Sequence, residues 1–150
     1  MKDILTLEEI PDIPLYMDQI IHLLDDKLQN HKQSPDDKIL TKTMINNYSK
    51  EDLIDRVKGK TYTKHQIVQM LLVYYLKNGL SIQEIKQLLL PLYDDQEHLM
   101  ELYQQFIENR EKRKQQIETI LAALPEESSL QVMELIELSS ELQTIAKQKL

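Results

Sequence analysis

Apolar residues recur along this chain at spacings of three and four, and the breaks between the runs divide it into helices. After a Pro11–Pro14 segment, Tyr16, Ile20, Leu23, Leu24 and Leu28 predict a first helix from about Leu15 to Asn30, with Pro14 suited to the first turn. Ser34-Pro35-Asp36-Asp37 reads as the start of a second helix: a capping Ser, a Pro, and acids at the positive end of the dipole. Ile39, Leu40, Met44, Ile45 and Tyr48 carry that helix to about Ser49 and leave a polar face opposite.

The pattern then shortens. Lys58-Gly59-Lys60 has the composition of a turn tip, flanked by Val57 and by Thr61-Tyr62, which favour strand. A hairpin this short needs helices to pack on. Thr63 with Gln66 forms a capping-box pattern, and the next helix contains Met70 to Leu76, apolar on all sides, as a buried central helix would be. Gly79 is placed to end it with a left-handed cap. Ser81 with Glu84 opens a short helix that stops before Pro91. A long helix is expected from Asp94 to about Leu124, interrupted on its apolar stripe by the charged run Arg110 to Lys114. Pro125 breaks it. Ser128 with Gln131 caps a last helix, where Leu135, Leu138, Leu142 and Ile145 form a seam suited to helix–helix contact and dimerisation.

Composition narrows the classes. The 150 residues include two Gly, five Pro and no Cys, so neither a disulfide framework nor a thiolate site is available. There is no signal-like segment and no apolar run near the roughly 20 residues that span a bilayer, which leads to the expectation of a cytoplasmic protein without membrane attachment. The net charge is −7. Its distribution is uneven: residues 1–90 carry 12 basic and 13 acidic side chains, residues 91–150 carry 6 and 12. From Lys38 to Lys64, seven bases face three acids. A basic segment in an acidic chain argues against non-specific coating of nucleic acid but suits a localised DNA face.

A helix followed by a basic hairpin is the arrangement by which winged helix-turn-helix proteins reach the major groove and the backbone. Thr41, Lys42, Thr43, Asn46 and Asn47 are the candidate base-reading residues, since amides and hydroxyls can bond base edges. Tyr48, Lys50, Arg56, Lys58 and Lys60 are the candidate backbone contacts, with Tyr62 at the end of the wing. The plainer account of the same residues is a solvated helix face and a solubilising turn.

The segment Met44 to Leu89 resembles the DNA-binding domain of MerR-type regulators. Met44-Ile45-Asn46-Asn47-Tyr48 sits where that family has Thr-Ile-Arg-Tyr-Tyr, and Leu53-Ile54 takes the following step. Tyr62-Thr63 ends the wing, and Gly79-Leu80-Ser81-Ile82-Gln83-Glu84-Ile85 matches the cap of the next helix closely. Asn46 and Asn47 replace an Arg and an aromatic, the first helix and its linker are longer, and a pair broken around Pro125 replaces the single dimerisation helix. Individual base contacts therefore do not transfer. The chain as a whole, including PLYMDQII and ILTKTMINNYSK, is similar to a Gram-positive bacterial family catalogued as domain of unknown function 1836, regarded as helix-turn-helix transcription regulators.

Other chemistry is thinly represented. His22, His31, His65 and His98 lie far apart without metal-ligand spacing, and Asp25-Asp26, Asp36-Asp37 and Asp94-Asp95 fall near helix ends, where carboxylates serve dipoles. No phosphate loop or nucleophile elbow is present. The expectation is an all-α protein with a minor two-stranded β wing, no cofactor, no metal site and no catalytic residues. Its winged helix-turn-helix domain would span residues 10–90 and a helical dimerisation or interaction region residues 91–150. It would bind double-stranded DNA as a homodimeric transcription regulator; the alternative is a helical protein-interaction module of the same fold. Operator and effector are left open.

Overall fold

The computed structural model describes residues 3–150. Nine regular elements follow in order: β1 (Leu15–Tyr16), α1 (Met17–Lys27), α2 (Lys42–Lys50), β2 (Thr61–Tyr62), α3 (Lys64–Leu76), α4 (Ile82–Leu89), α5 (Gln96–Glu108), α6 (Arg110–Ala122) and α7 (Ser128–Gln148). Short 3-10 turns at Gln29–His31 and Leu90–Leu92 link them. The architecture is helical with one small antiparallel sheet among the described residues.

Helix α3 is the axis of the core. Ile67, Val68, Met70, Leu71 and Val73 are all buried, and so are His65, Gln66 and Gln69. Leu24 from α1, Leu28 just after it, Ile45 from α2 and Tyr103 from α5 pack in the same core. Tyr103 is fully buried and its hydroxyl donates to the Leu5 carbonyl at 2.6 Å, tying α5 to the N-terminal segment. The burial of Leu99 and Tyr103 carries the core beyond residue 90. A second cluster, Leu53, Val73, Ile85 and Leu89, seats α4 on the other side of α3. The local signals behind α3 and α4 are present as expected: Thr63 accepts from the Gln66 N–H, and Ser81 from the Glu84 N–H, each within a reciprocal capping box.

Several elements differ from the sequence expectation. The Ser34-Pro35-Asp36-Asp37 run does not start a helix. The Asp37 carboxylate accepts from the Gln33 and Ser34 N–H groups at 2.9 Å each, closing a turn. Ile39 and Leu40 then enter the core in non-helical backbone, and α2 begins only at Lys42, capped by the Thr41 hydroxyl on the Met44 N–H at 3.1 Å. Leu15 and Tyr16 are strand rather than helix, because they pair with Tyr62 and Thr61.

That pairing also replaces the expected local hairpin. The backbone before Gly59 finds partners on α3 instead of a second strand: Gln69 Oε1 accepts from the Asp55 N–H at 2.8 Å, and Gln66 Nε2 donates to the Asp55 and Arg56 carbonyls at 3.0 and 3.3 Å. Once those groups are satisfied, no ladder is needed there. Gly59, at φ +91°, still forms the turn. Gly79 is not left-handed; the Leu76 carbonyl accepts from both the Gly79 and Leu80 N–H groups, and the chain turns directly into α4. A left-handed cap does close α2, with Asp52 at φ 58°. Asp52 N–H bonds the Ser49 carbonyl and Leu53 N–H the Tyr48 carbonyl, the paired bonds of a Schellman end. The expected long helix divides at Asn109 into α5 and α6, with an Arg113 N–H capping the Phe106 carbonyl at 2.8 Å. Pro125 does separate α6 from α7, but the cap of α7 is Glu127 rather than Ser128.

Candidate nucleic-acid interface

Helix α2 turns one side inward and one side outward. Ile45 is fully buried and Met44 and Tyr48 pack partly into the core, while Lys42, Thr43, Asn46, Asn47 and Lys50 are exposed. Seven residues separate the end of α2 from the loop Lys58-Gly59-Lys60, whose two lysines are exposed, as is Arg56. A chain of contacts ties the start of α2 to this loop. Lys42 pairs with Asp18 in the first turn of α1 at 3.1 Å; Tyr16, two residues earlier, pairs with Thr61; and Thr61 follows Lys60. The strand pair thus holds both ends of the basic segment against the same base.

Not all the candidate residues lie on this surface. Thr41 is half-buried and its side chain is engaged as the α2 cap. Tyr62 is buried in the core, opposite Leu15 in the strand pair. The Tyr48 ring packs between the two core clusters, and its hydroxyl is buried without a hydrogen-bond partner among the described residues. Burial, with a smaller contribution from Tyr74, pushes that hydroxyl up to about 12, so it stays a neutral donor. The surface side chains of the segment are therefore Lys42, Thr43, Asn46, Asn47, Lys50, Arg56, Lys58 and Lys60.

Beneath the loop lies an open polar cleft of about 470 Å³, lined by Asp55, Arg56, Lys58, Thr61 and His65. His65 Nε2 lies 2.9 Å from Gln69 Nε2 and 3.2 Å from Asp55 Oδ2. His65 Nδ1 is buried and has no hydrogen-bond partner among the described residues. This polar group was not picked out from the sequence; the three-residue spacing of Gln66 and Gln69 on an otherwise apolar helix was its one visible sign.

The expected dimerisation residues have two surroundings. Leu135, Leu138 and Leu142 line an apolar groove of about 540 Å³ with Ile117, Ile120 and Leu121 of α6. Ile145 is exposed, and so is a further row on α7 that the heptad spacing did not single out: Val132, Met133 and Ile136. Among the described residues, no group of three His, Asp or Glu is placed to hold a metal ion, and no helix is long and apolar enough to cross a membrane. Comparison with curated proteins and with solved structures gives no match. Residues 5–106, the stretch from the N-terminal segment through most of α5, match the family model described as a domain of unknown function, DUF1836, and the chain belongs to that family.

Proposed function

We propose that this protein is a sequence-specific DNA-binding transcription regulator acting as a homodimer, with α2 entering the major groove and the Arg56–Lys60 loop lying on the backbone. The observation that carries the proposal is the exposed α2 face, rich in amide and ammonium groups, anchored beside a basic loop by the β1–β2 pair and α1. Asn46 and Asn47 carry side-chain amides of the kind that pair bidentately with adenine, and Lys50, Arg56, Lys58 and Lys60 would supply phosphate contacts. The MerR-like resemblance of Met44 to Leu89 points to the same use.

Dimerisation is proposed through α6 and α7. No residue of either helix is buried. Ile117, Leu121, Leu130, Val132, Met133, Leu135, Ile136, Leu142 and Ile145 are between 37% and 67% exposed. Together they leave an extended apolar surface. A second copy of the same two helices would cover it as a four-helix arrangement. In sedimentation, Val132→Asp with Ile136→Asp is expected to yield a monomer; an unchanged dimer would refute this face.

The second reading, a protein-interaction module without DNA binding, draws on the same apolar surface and on the acidic charge of residues 91–150. Fluorescence anisotropy with the DNA upstream of the protein's own gene and with scrambled DNA, across a salt series, separates the two. A preference of about a thousand-fold with a clear salt slope supports the regulator. No binding even at low salt refutes DNA binding and favours the second reading.

A further inference from the structure

A pocket of about 260 Å³ lies where the 3-10 turn after α1, the C-terminal end of α3 and the α5–α6 junction converge. One wall is aromatic. His31, Tyr74, Tyr75 and Phe106 form a continuous ring cluster with centroids 5.6 to 6.1 Å apart. The other wall is cationic, with Arg110 and Arg113 one turn apart on α6. The polar groups of the ring wall are already fixed. His31 Nε2 donates to the Asp3 carbonyl, which leaves Nδ1 to accept from the Tyr74 hydroxyl at 3.2 Å. Tyr75 Oη accepts from the Leu5 N–H at 3.0 Å.

The arginine wall carries surplus charge. Arg110 pairs with Asp3 at 2.9 Å, but its Nε–H is buried with no acceptor. Among the described residues Arg113 has no carboxylate partner: it bonds the Phe106 carbonyl and stacks 4.5 Å over the Phe106 ring. Burial, and secondarily the charge of Arg110, pulls the Arg113 guanidinium below its ordinary range. Two arginines against one carboxylate, beside an aromatic wall, make a site short of one negative charge. A flat anion would supply that charge through the planar forks while its body lay against the rings.

We propose that this pocket binds a small aromatic carboxylate, the carboxylate on Arg110 and Arg113 and the ring against Tyr74, Tyr75 and Phe106. The size is adequate, since a cavity of roughly 150 Å³ accommodates benzene. The pocket draws on none of the residues assigned to DNA, so this inference stands apart from that reading.

The test is titration of the full chain with benzoate, followed by NMR of the backbone amides, the arginine Nε–Hε groups and the side chain of Asn78, which also lines the pocket. Benzoate is expected to shift Arg110, Arg113 and Asn78 saturably, and to bind at least tenfold more tightly than neutral benzamide or inorganic phosphate. Arg113→Gln should weaken it at least tenfold, Arg113→Lys less, with the amide spectrum of the α2 and Lys58–Lys60 region unchanged in both. Three results would overturn the proposal: no shift up to about 10 mM, beyond the range of a specific site; equal binding of benzamide or phosphate; or shifts centred elsewhere on the protein.

Discussion

Reversing the two lysines of the loop, Lys58→Glu with Lys60→Glu, is the most direct probe of whether this surface meets DNA as proposed. Both side chains are exposed and flank Gly59, whose positive φ makes the turn without using either of them. Stability should therefore change by no more than about 0.5 kcal/mol, as for ordinary surface substitutions. Binding should change much more. The four exposed cations assigned to the backbone in each protomer, Lys50, Arg56, Lys58 and Lys60, amount to about eight phosphate contacts in a dimer. At about 0.9 per phosphate, log K should fall against log salt with a slope near −7. Losing four contacts per dimer brings the slope to about −4, before any repulsion from the new carboxylates. Between 50 and 200 mM salt the native protein would then lose roughly four orders of magnitude in affinity and the variant roughly two. Anisotropy on operator and random DNA measures both slopes. Lys112→Glu with Lys114→Glu, exposed on α6, is the control and should leave the slope alone. An unchanged slope for the loop variant, or the same change in both variants, refutes the placement of DNA on this face.

Asn46→Ala should alter sequence preference more than bulk affinity, costing about 1–3 kcal/mol on the operator and little on random DNA; equal losses on both would remove Asn46 from base reading. Tyr103→Phe leaves the Leu5 carbonyl without its 2.6 Å donor in the core and should cost about 1–3 kcal/mol, read as a drop in Tm of about 2–4 °C per kcal/mol. No change in Tm would mean that the N-terminal segment is not held through α5. Burial pushes the Asp25 carboxyl up, but hydrogen bonds from Lys32, Lys38 and the Ile39 N–H outweigh it and hold the group below its ordinary value. A lowered carboxyl stabilises the fold above its unfolded value and loses that contribution as pH falls through the folded one. Asp25→Asn should thus be less stable than the native protein at pH 7, with the gap closing below about pH 4 in denaturant titrations; a gap independent of pH would contradict this.

The features legible in the sequence are those decided within a few residues. The Thr63–Gln66 and Ser81–Glu84 boxes need only a side chain and a backbone group one turn apart, and α3 shows its central position because it is apolar on every side. Pro125 breaks a helix wherever it stands. The misplaced elements are those decided at a distance. The Asp37 carboxylate accepts from the Ser34 N–H in this turn as it would at a helix start, and the burial of Ile39 and Leu40 selects the turn. Thr61 and Tyr62 have the composition of a hairpin strand, but their partner lies some 45 residues earlier, beyond any local pattern.

The same distinction explains the candidate site. Polar positions on α2 are readable because the 3.6-residue period fixes which ones face away from Ile45. Tyr48 and Tyr62 are not, since an amphipathic ring serves a core and a surface equally well and tertiary contacts alone decide between them. The pocket under Arg110 was still less visible: its rings come from His31, Tyr74, Tyr75 and Phe106 and its charge from a run that reads as a solvated helix face. Arg113 stops being a surface cation because the helix divides at Asn109 and turns it back over Phe106. The surface proposed for DNA consists of side chains the fold leaves unused, whereas the pocket consists of side chains the fold has gathered. Direct binding measurements are therefore the proper test of the first, and residue-resolved ligand titration of the second.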